Sequence, residues 1–336
     1  MSRVLHLWGA DRAGRLGLRL ACLSLPLVLQ ASSPARAPGQ RWLLVYAGGA
    51  NHMGHSVANF QRLLYSHVNG SIPRRLFDGI VCLDTHSPSG HNFLSWRAGP
   101  PEPRDYDAYL DTLLSTRGPL ADADSVVRSY SDSLLVVLMI SYPLGKVNHV
   151  PPWDPRIAFM ARYLDRAESL FAARNFRALR LRGFYWLPED VSESDTAIVQ
   201  HFTAMVHWHG LQALWVPYYV AKLAPRWRRL GLDAAFLQPN YFMNDSLGPD
   251  RLDSALVRAT AWGMGLEIEF DRRLLTQPQY RPRFTSYLDA LETPAGRLLQ
   301  GVAVYDGAGA LPELAAAQDE GLRQLYRRLV EVLQRR

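Results

Sequence analysis

Glu267 and Glu269 stand two residues apart in the run Gly265-Leu266-Glu267-Ile268-Glu269-Phe270-Asp271. In an extended strand this spacing puts Glu267, Glu269 and Asp271 on one face and Leu266, Ile268 and Phe270 on the other. A third carboxylate, Glu189, closes the run Gly183-Phe184-Tyr185-Trp186-Leu187-Pro188-Glu189, beside aromatic residues. Buried carboxylates destabilise a fold unless they are paired or hydrogen-bonded. A chain selected only for stability would place Val or Ile at these positions. Two carboxyls facing each other across a sugar are the minimal machinery of glycoside hydrolysis. One protonates the leaving oxygen, and the other attacks the anomeric carbon or activates a water. The competing account is a structural ion-pair network, for which Arg180 and Arg182 on the fourth strand are possible partners.

Other candidate contacts fall at the ends of apolar runs. They are Trp186 and Trp215, Tyr218, Gln238, Asn240 and Tyr241, with Asp84, Tyr142 and Tyr305 in the corresponding places of three further runs. Aromatic faces stack on pyranose rings, although Trp and Tyr are also common core residues. Gln238 and Asn240 carry amides within strand-like stretches, and such amides need partners. Asn51, His55 and His86 lie in loops that either line the same region or are simply solvated. His207 and His209 are two residues apart at a helix end, a spacing that does not share a metal. No glycine-rich nucleotide loop and no GxSxG elbow occurs in the right context. No metal and no cofactor is expected. Asn69-Gly70-Ser71 and Asn244-Asp245-Ser246 are formal glycosylation sequons.

The elements that must hold these residues alternate along the chain. Strand-like runs occupy 41–48, 77–84, 133–141, 179–187, 212–219, 232–241, 265–271 and 299–306. Helical periodicity fills 57–67, 106–114, 155–174, 194–209, 220–230, 251–264, 281–291 and 314–333. Pro312 and Glu313 suit the opening of the last helix. Eight strands, each followed by a helix, predict an α/β protein of the (β/α)8 TIM-barrel type in one domain, 38–336. A doubly wound open sheet is the competing topology. In the barrel, the apolar face of the seventh strand meets the helices and its acidic face points inward. The long Gly-, Pro-, His- and Asn-rich connections follow strand C-termini, where barrel enzymes place their catalytic groups.

Residues 1–37 read as a signal peptide with a short linker. Arg3, Arg12, Arg15 and Arg19 precede an apolar run at 20–29, and Ala35-Arg36-Ala37 fits a small-x-small cleavage site. The run is short for a bilayer span, which needs about 20 apolar residues. An exported protein with no stable membrane insertion after cleavage is expected. The chain carries 37 basic and 31 acidic residues, a formal net charge of +6. Without the first 36 residues the balance is 32 to 30, or +2. The mature chain therefore gives no electrostatic reason to bind nucleic acid. Of the two cysteines, Cys22 lies in the leader, so Cys82 would remain alone with no disulfide to form. A monomer is expected.

The motifs GFYWLPE at 183–189, WVPYY at 215–219, LQPNYF at 237–242 and LEIEFD at 266–271 resemble those of the bacterial family called domain of unknown function 4855. Phe77-Asp78-Gly79 and Ser141-Tyr142-Pro143 look like its second and third strands. The resemblance runs from about residue 42 to the C-terminus, and departs at Tyr305-Asp306-Gly307, where a Tyr-Tyr type motif is expected. It implies a TIM barrel akin to glycoside hydrolases, often exported, and the positions matching the family's shared acids are Glu189, Glu267 and Glu269. A fourth-strand acid with a seventh-strand nucleophile is similar to the order in many retaining barrel glycosidases. The expected function is hydrolysis of a polysaccharide or oligosaccharide, with Glu189 as acid/base, Glu269 as nucleophile and Glu267 as its alternate. The alternative is a non-catalytic carbohydrate-binding barrel of the envelope or matrix.

Overall fold

The computed structural model describes residues 40–51, 56–68, 72–94, 101–142, 154–307 and 309–336. The leader, His55, the sequon at 69–71 and Pro143 lie outside the described residues. Eight parallel strands close into a barrel: β1 Gln40–Tyr46, β2 Gly79–Leu83, β3 Leu134–Ile140, β4 Leu179–Trp186, β5 Gln212–Trp215, β6 Ala234–Leu237, β7 Gly265–Glu269 and β8 Gly301–Tyr305. Each strand pairs with the next, and β8 returns to β1 with Trp42 opposite Ala303. Helices fill the connections, so residues 38–336 form one (β/α)8 unit rather than an open sheet.

Side-chain size decides where the barrel is filled and where it is open. Trp42 is fully buried and lies on the inward side of β1, together with Leu44 and Tyr46. A Cβ on Gly79 would come within 2.3 Å of the Trp42 ring, and one on Gly265 within 2.3 Å of the Phe236 ring. Two aromatic rings therefore plug the N-terminal half of the barrel, and glycines on neighbouring strands make room for them. Above this plug the inward residues become smaller or polar, and a cavity opens at the C-terminal mouth.

All eight expected strands form, each shorter than its sequence pattern, and two are cut back by half or more. β5 stops at Trp215 and β6 at Leu237. Beyond them the chain curls over the mouth, tied by one parallel bridge between Tyr218 and Gln238. Asn240 takes a left-handed φ of 57°, which turns the chain away from the strand direction.

Short helices are added at Arg273–Thr276 and Pro294–Arg297, and the helices depart from expectation in three larger ways. An additional helix, Pro119–Ser129, precedes β3. Its inner face is made of Leu120, Ala123, Val126, Val127 and the buried Asp124, whose carboxylate accepts from the N–H groups of Ala178 and Leu179 at the start of β4. That buried acid interrupts the apolar period. The stretch 220–230 holds only short turns of 3-10 helix at Ala224–Leu230. The last helix is two: Ala310–Ala315, which contains Pro312 and Glu313, and Glu320–Gln334, which starts at Asp319. The Asp319 carboxylate caps it by accepting from the Leu322 N–H at 2.9 Å.

Candidate functional site

Strand β7 carries the expected alternation. Leu266 and Ile268 are fully buried, and Phe270 packs on Phe284 of the helix Arg281–Glu292 with ring centroids 4.8 Å apart. Glu267 and Glu269 take the opposite face, toward the barrel interior, and are 1% and 0% exposed. The acidic row ends there. Asp271 lies past the strand, where it accepts from its own chain at Arg273 N and holds the Arg273 guanidinium.

A cavity of about 100 Å³ occupies the mouth, with Glu267 and Glu189 both on its wall. Gln238 of the β6 end, Tyr46 of β1, Tyr185 of β4 and Tyr305 of β8 complete its polar lining. Leu44, Leu83, Leu94, Leu187 and Val216 supply the apolar part, with Thr85 at the rim. Glu189 is solvent-accessible yet recessed in this mouth. Desolvation raises its pKa, and the Gln238 amide offsets part of the rise.

The two β7 carboxyls differ in what holds them. Glu269 receives the Tyr287 hydroxyl at Oε2, 2.7 Å away. Burial raises its pKa, the Tyr287 hydroxyl, the Asn240 N–H and the Gln238 amide pull it back, and it settles at about 7. Glu267 has no such donors. Burial, then the charge of Glu269, then that of Glu189 push it well above the ordinary carboxyl range. Among the described residues, no basic group is among the main influences on the three carboxyls. The ion-pair alternative is not realised: Arg180 binds the carbonyls of Arg177 and Leu179, and Arg182 binds Gln212, all at the other end of β4.

The remaining candidates divide by strand parity. Tyr185 and Leu187 face the cavity, so Trp186 faces out, where it packs on Phe202 of the helix Thr196–Trp208 and on Tyr142. Trp215 likewise alternates with the inward Val216 and is fully buried. Its indole N–H donates to the Pro188 carbonyl at 2.8 Å and so anchors the turn that carries Glu189. Tyr241 is buried under the Arg283 guanidinium and beside Tyr287. The structure therefore places Trp186, Trp215, Tyr142 and Tyr241 in packing contacts rather than on the cavity wall. Gln238 and Tyr305 are in the cavity wall, Tyr218 is bridged to Gln238, and Asn240 reaches Glu269 through its backbone.

Asp84 acts on the rim rather than in the cavity. Fully buried, it accepts from Asn51 N, from Asn51 Nδ2 at 3.0 Å and from His86 N at 2.9 Å. This fixes Asn51 and His86 against Thr85. Tyr46, Tyr185 and Tyr287 were not singled out in the sequence. Strand alternation was the available signal for Tyr46 and Tyr185, whereas Tyr287 sits in a helix and carries no local mark. His207 pairs with Asp233 and His209 with Glu168, both away from the mouth. Among the described residues, no group of three or more His, Cys, Asp or Glu is placed to hold a metal ion. None of the described helices is long and apolar enough to cross a membrane.

No curated protein matches the chain in sequence. Among solved structures it is similar to a GH113 beta-1,4-mannanase, with a TM-score of 0.44 and 11% identity over 89% of this chain and 99% of that one. It is also similar to a Bacteroides ovatus GH5 xyloglucanase in complex with a heptasaccharide, with a TM-score of 0.43 and 15% identity over 83% and 68%. The tryptophan synthase α-subunit of Pyrococcus furiosus, in a mutant form, scores 0.43 with 14% identity over 88% and 98%. These proteins carry different chemistries, so the likeness names no reaction. The sequence itself does name a family: residues 41–331 match the one described as domain of unknown function (DUF4855), and the chain belongs to it.

Proposed function

We propose that the mouth of this barrel binds a polysaccharide or oligosaccharide and cleaves a glycosidic bond. The observation that carries this reading is the cavity shared by Glu189 and Glu267, one carboxyl from the β4 end and one from β7, with Gln238 and three tyrosines around them. Glu189, recessed and raised in pKa, is suited to donate its proton to the leaving oxygen as the glycosidic C–O bond breaks. A β7 carboxylate attacks the anomeric carbon, or draws a proton from an attacking water, on the other side of the sugar. Where a glycosyl-enzyme forms, water displaces the carboxylate and Glu189 takes up the proton.

The β7 partner is a choice between access and charge. Glu269, preferred from the sequence, has the donors that favour an ionised carboxyl, but it does not line the cavity. Glu267 lines it. A carboxylate without a path to the sugar cannot attack, so we assign the contact to Glu267 and charge support to Glu269. In the same reading the chain is exported, loses its leader and works as a monomer outside the cytoplasm.

The test is digestion of a panel of defined polysaccharides, read by mass spectrometry. Released oligosaccharides support the proposal. Binding without release points to the carbohydrate-binding alternative, and neither binding nor release overturns both.

A further inference from the structure

The mouth has acceptors without donors. Glu267 is 1% exposed and on the cavity wall, yet its Oε2 has no hydrogen-bond partner among the described residues. Gln238, on the same wall, turns its amide nitrogen toward Glu189 and Glu269 and leaves Oε1 without a partner. Glu269 Oε1, on the next inward residue of β7, is also unmatched. Buried polar atoms are normally satisfied, so the two such oxygens on the cavity wall, Glu267 Oε2 and Gln238 Oε1, call for a ligand that supplies donors. Among the described residues, no Lys, Arg or His lines the cavity to supply them or to balance the carboxyls.

We propose that the cavity receives a primary ammonium group carried by the sugar, so that the ligand is an amino-sugar unit of a deacetylated polysaccharide, held by Glu267 and Gln238. The proposal rests on the carbohydrate reading above and narrows it. An ammonium brings three donors and no acceptor, the complement of what the site lacks. Tyr46, Tyr185 and Tyr305 also line the cavity, and aromatic rings attract cations. A neutral hydroxyl brings one donor and its own lone pairs, and an N-acetyl group adds a carbonyl acceptor, so neither balances the carboxyls. A metal ion is the other cation to weigh, but the carboxyls are not grouped as ligands around a common point.

Charge balance links binding to protons. Among the described residues the titratable groups that act on the β7 carboxyls are acidic: Glu189 acts on Glu267 and Glu269, Glu269 acts on Glu267, and the Tyr287 hydroxyl faces Glu269 from its helix. Tyr46, Tyr185 and Tyr305 face the cluster from β1, β4 and β8, with Asp84 behind Tyr46. Burial and the neighbouring carboxyls raise the pKa of Glu267, so an arriving ammonium favours its ionised form and displaces a proton to solvent.

The experiment is titration calorimetry on the whole protein near pH 6, in two buffers of different ionisation heat. The probes are glucosamine and galactosamine tetramers, their N-acetylated counterparts and cellotetraose. At least one amino-sugar tetramer is expected to bind about tenfold or more tighter than the acetylated and neutral probes, with release of about one proton. In Glu267→Gln, shown to be folded by circular dichroism, that preference should shrink to within about threefold. Equal or tighter binding of the acetylated or neutral sugars overturns the ammonium proposal and leaves the carbohydrate reading standing. So does amino-sugar binding without proton release, a result that does not depend on the variant. Binding of none of the probes overturns the ammonium proposal, while the polysaccharide digestion above decides the broader reading separately.

Discussion

Tyr287 donates its hydroxyl to Glu269 Oε2 at 2.7 Å, and the Phe242 N–H donates to the same Tyr287 oxygen at 3.3 Å. A residue of the outer helix thus reaches an inward carboxyl of β7, with both groups buried. Replacing Tyr287 with Phe keeps the ring and removes the donor. The variant should lose about 1–3 kcal/mol of stability, because it leaves a buried acceptor and a buried N–H without their partner. Urea unfolding near pH 7 checks this, and a loss within error would show that the bond contributes nothing net.

Glu269 also sets a pH dependence. Its pKa stands at about 7 in the folded protein, against an ordinary 4.5. Between those values the folded state holds more protons than the unfolded chain. The stabilisation is full below about pH 4.5 and is lost as pH rises through about 7. Compared with Glu269→Gln, the wild type should lose roughly 3 kcal/mol or less between pH 5 and 8. Parallel denaturation curves at several pH values give the difference, and a flat difference would contradict the raised carboxyl.

Strand parity separates two further residues. Trp186→Phe should leave ligand affinity unchanged, because the ring packs on Phe202 and Tyr142 outside the barrel. Gln238→Ala should weaken binding by about tenfold, the effect of a hydrogen bond to a charged group. Calorimetry with any ligand that binds the wild type gives both numbers, and the reverse pattern would place the site on the wrong face of β4.

The leader yields a separate expectation. Protein recovered from outside the cytoplasm should begin between about residues 31 and 40. N-terminal sequencing reads this directly, and an intact Met1 in a soluble cytoplasmic pool would contradict export.

The barrel was legible because its strands are short β-branched runs separated by amphipathic stretches, a pattern that survives without tertiary information. The β7 alternation of Glu267 and Glu269 with Leu266 and Ile268 likewise carried the inward face by itself. Ligand contact was less legible. Trp186 and Trp215 suggested sugar stacking by residue type, but parity gives the cavity Tyr185 and Val216 instead. Tyr287 could not be found from local pattern, since its role depends on a helix meeting the β6 end. The helix Pro119–Ser129 was hidden by Asp124, whose burial only makes sense once the N–H groups of Ala178 and Leu179 are beside it.

The account's central claim is that Glu189 and a β7 carboxylate share one reaction. Its most direct measurement is turnover of aryl glycosides with good and poor leaving groups by wild type, Glu189→Gln, Glu267→Gln and Glu269→Gln. Loss of the proton donor should hurt poor leaving groups most, because a good one needs little protonation. Loss of Glu267 should abolish turnover on every leaving group, and loss of Glu269 should slow it less. Near-wild-type turnover by both Glu189→Gln and Glu267→Gln would contradict the account.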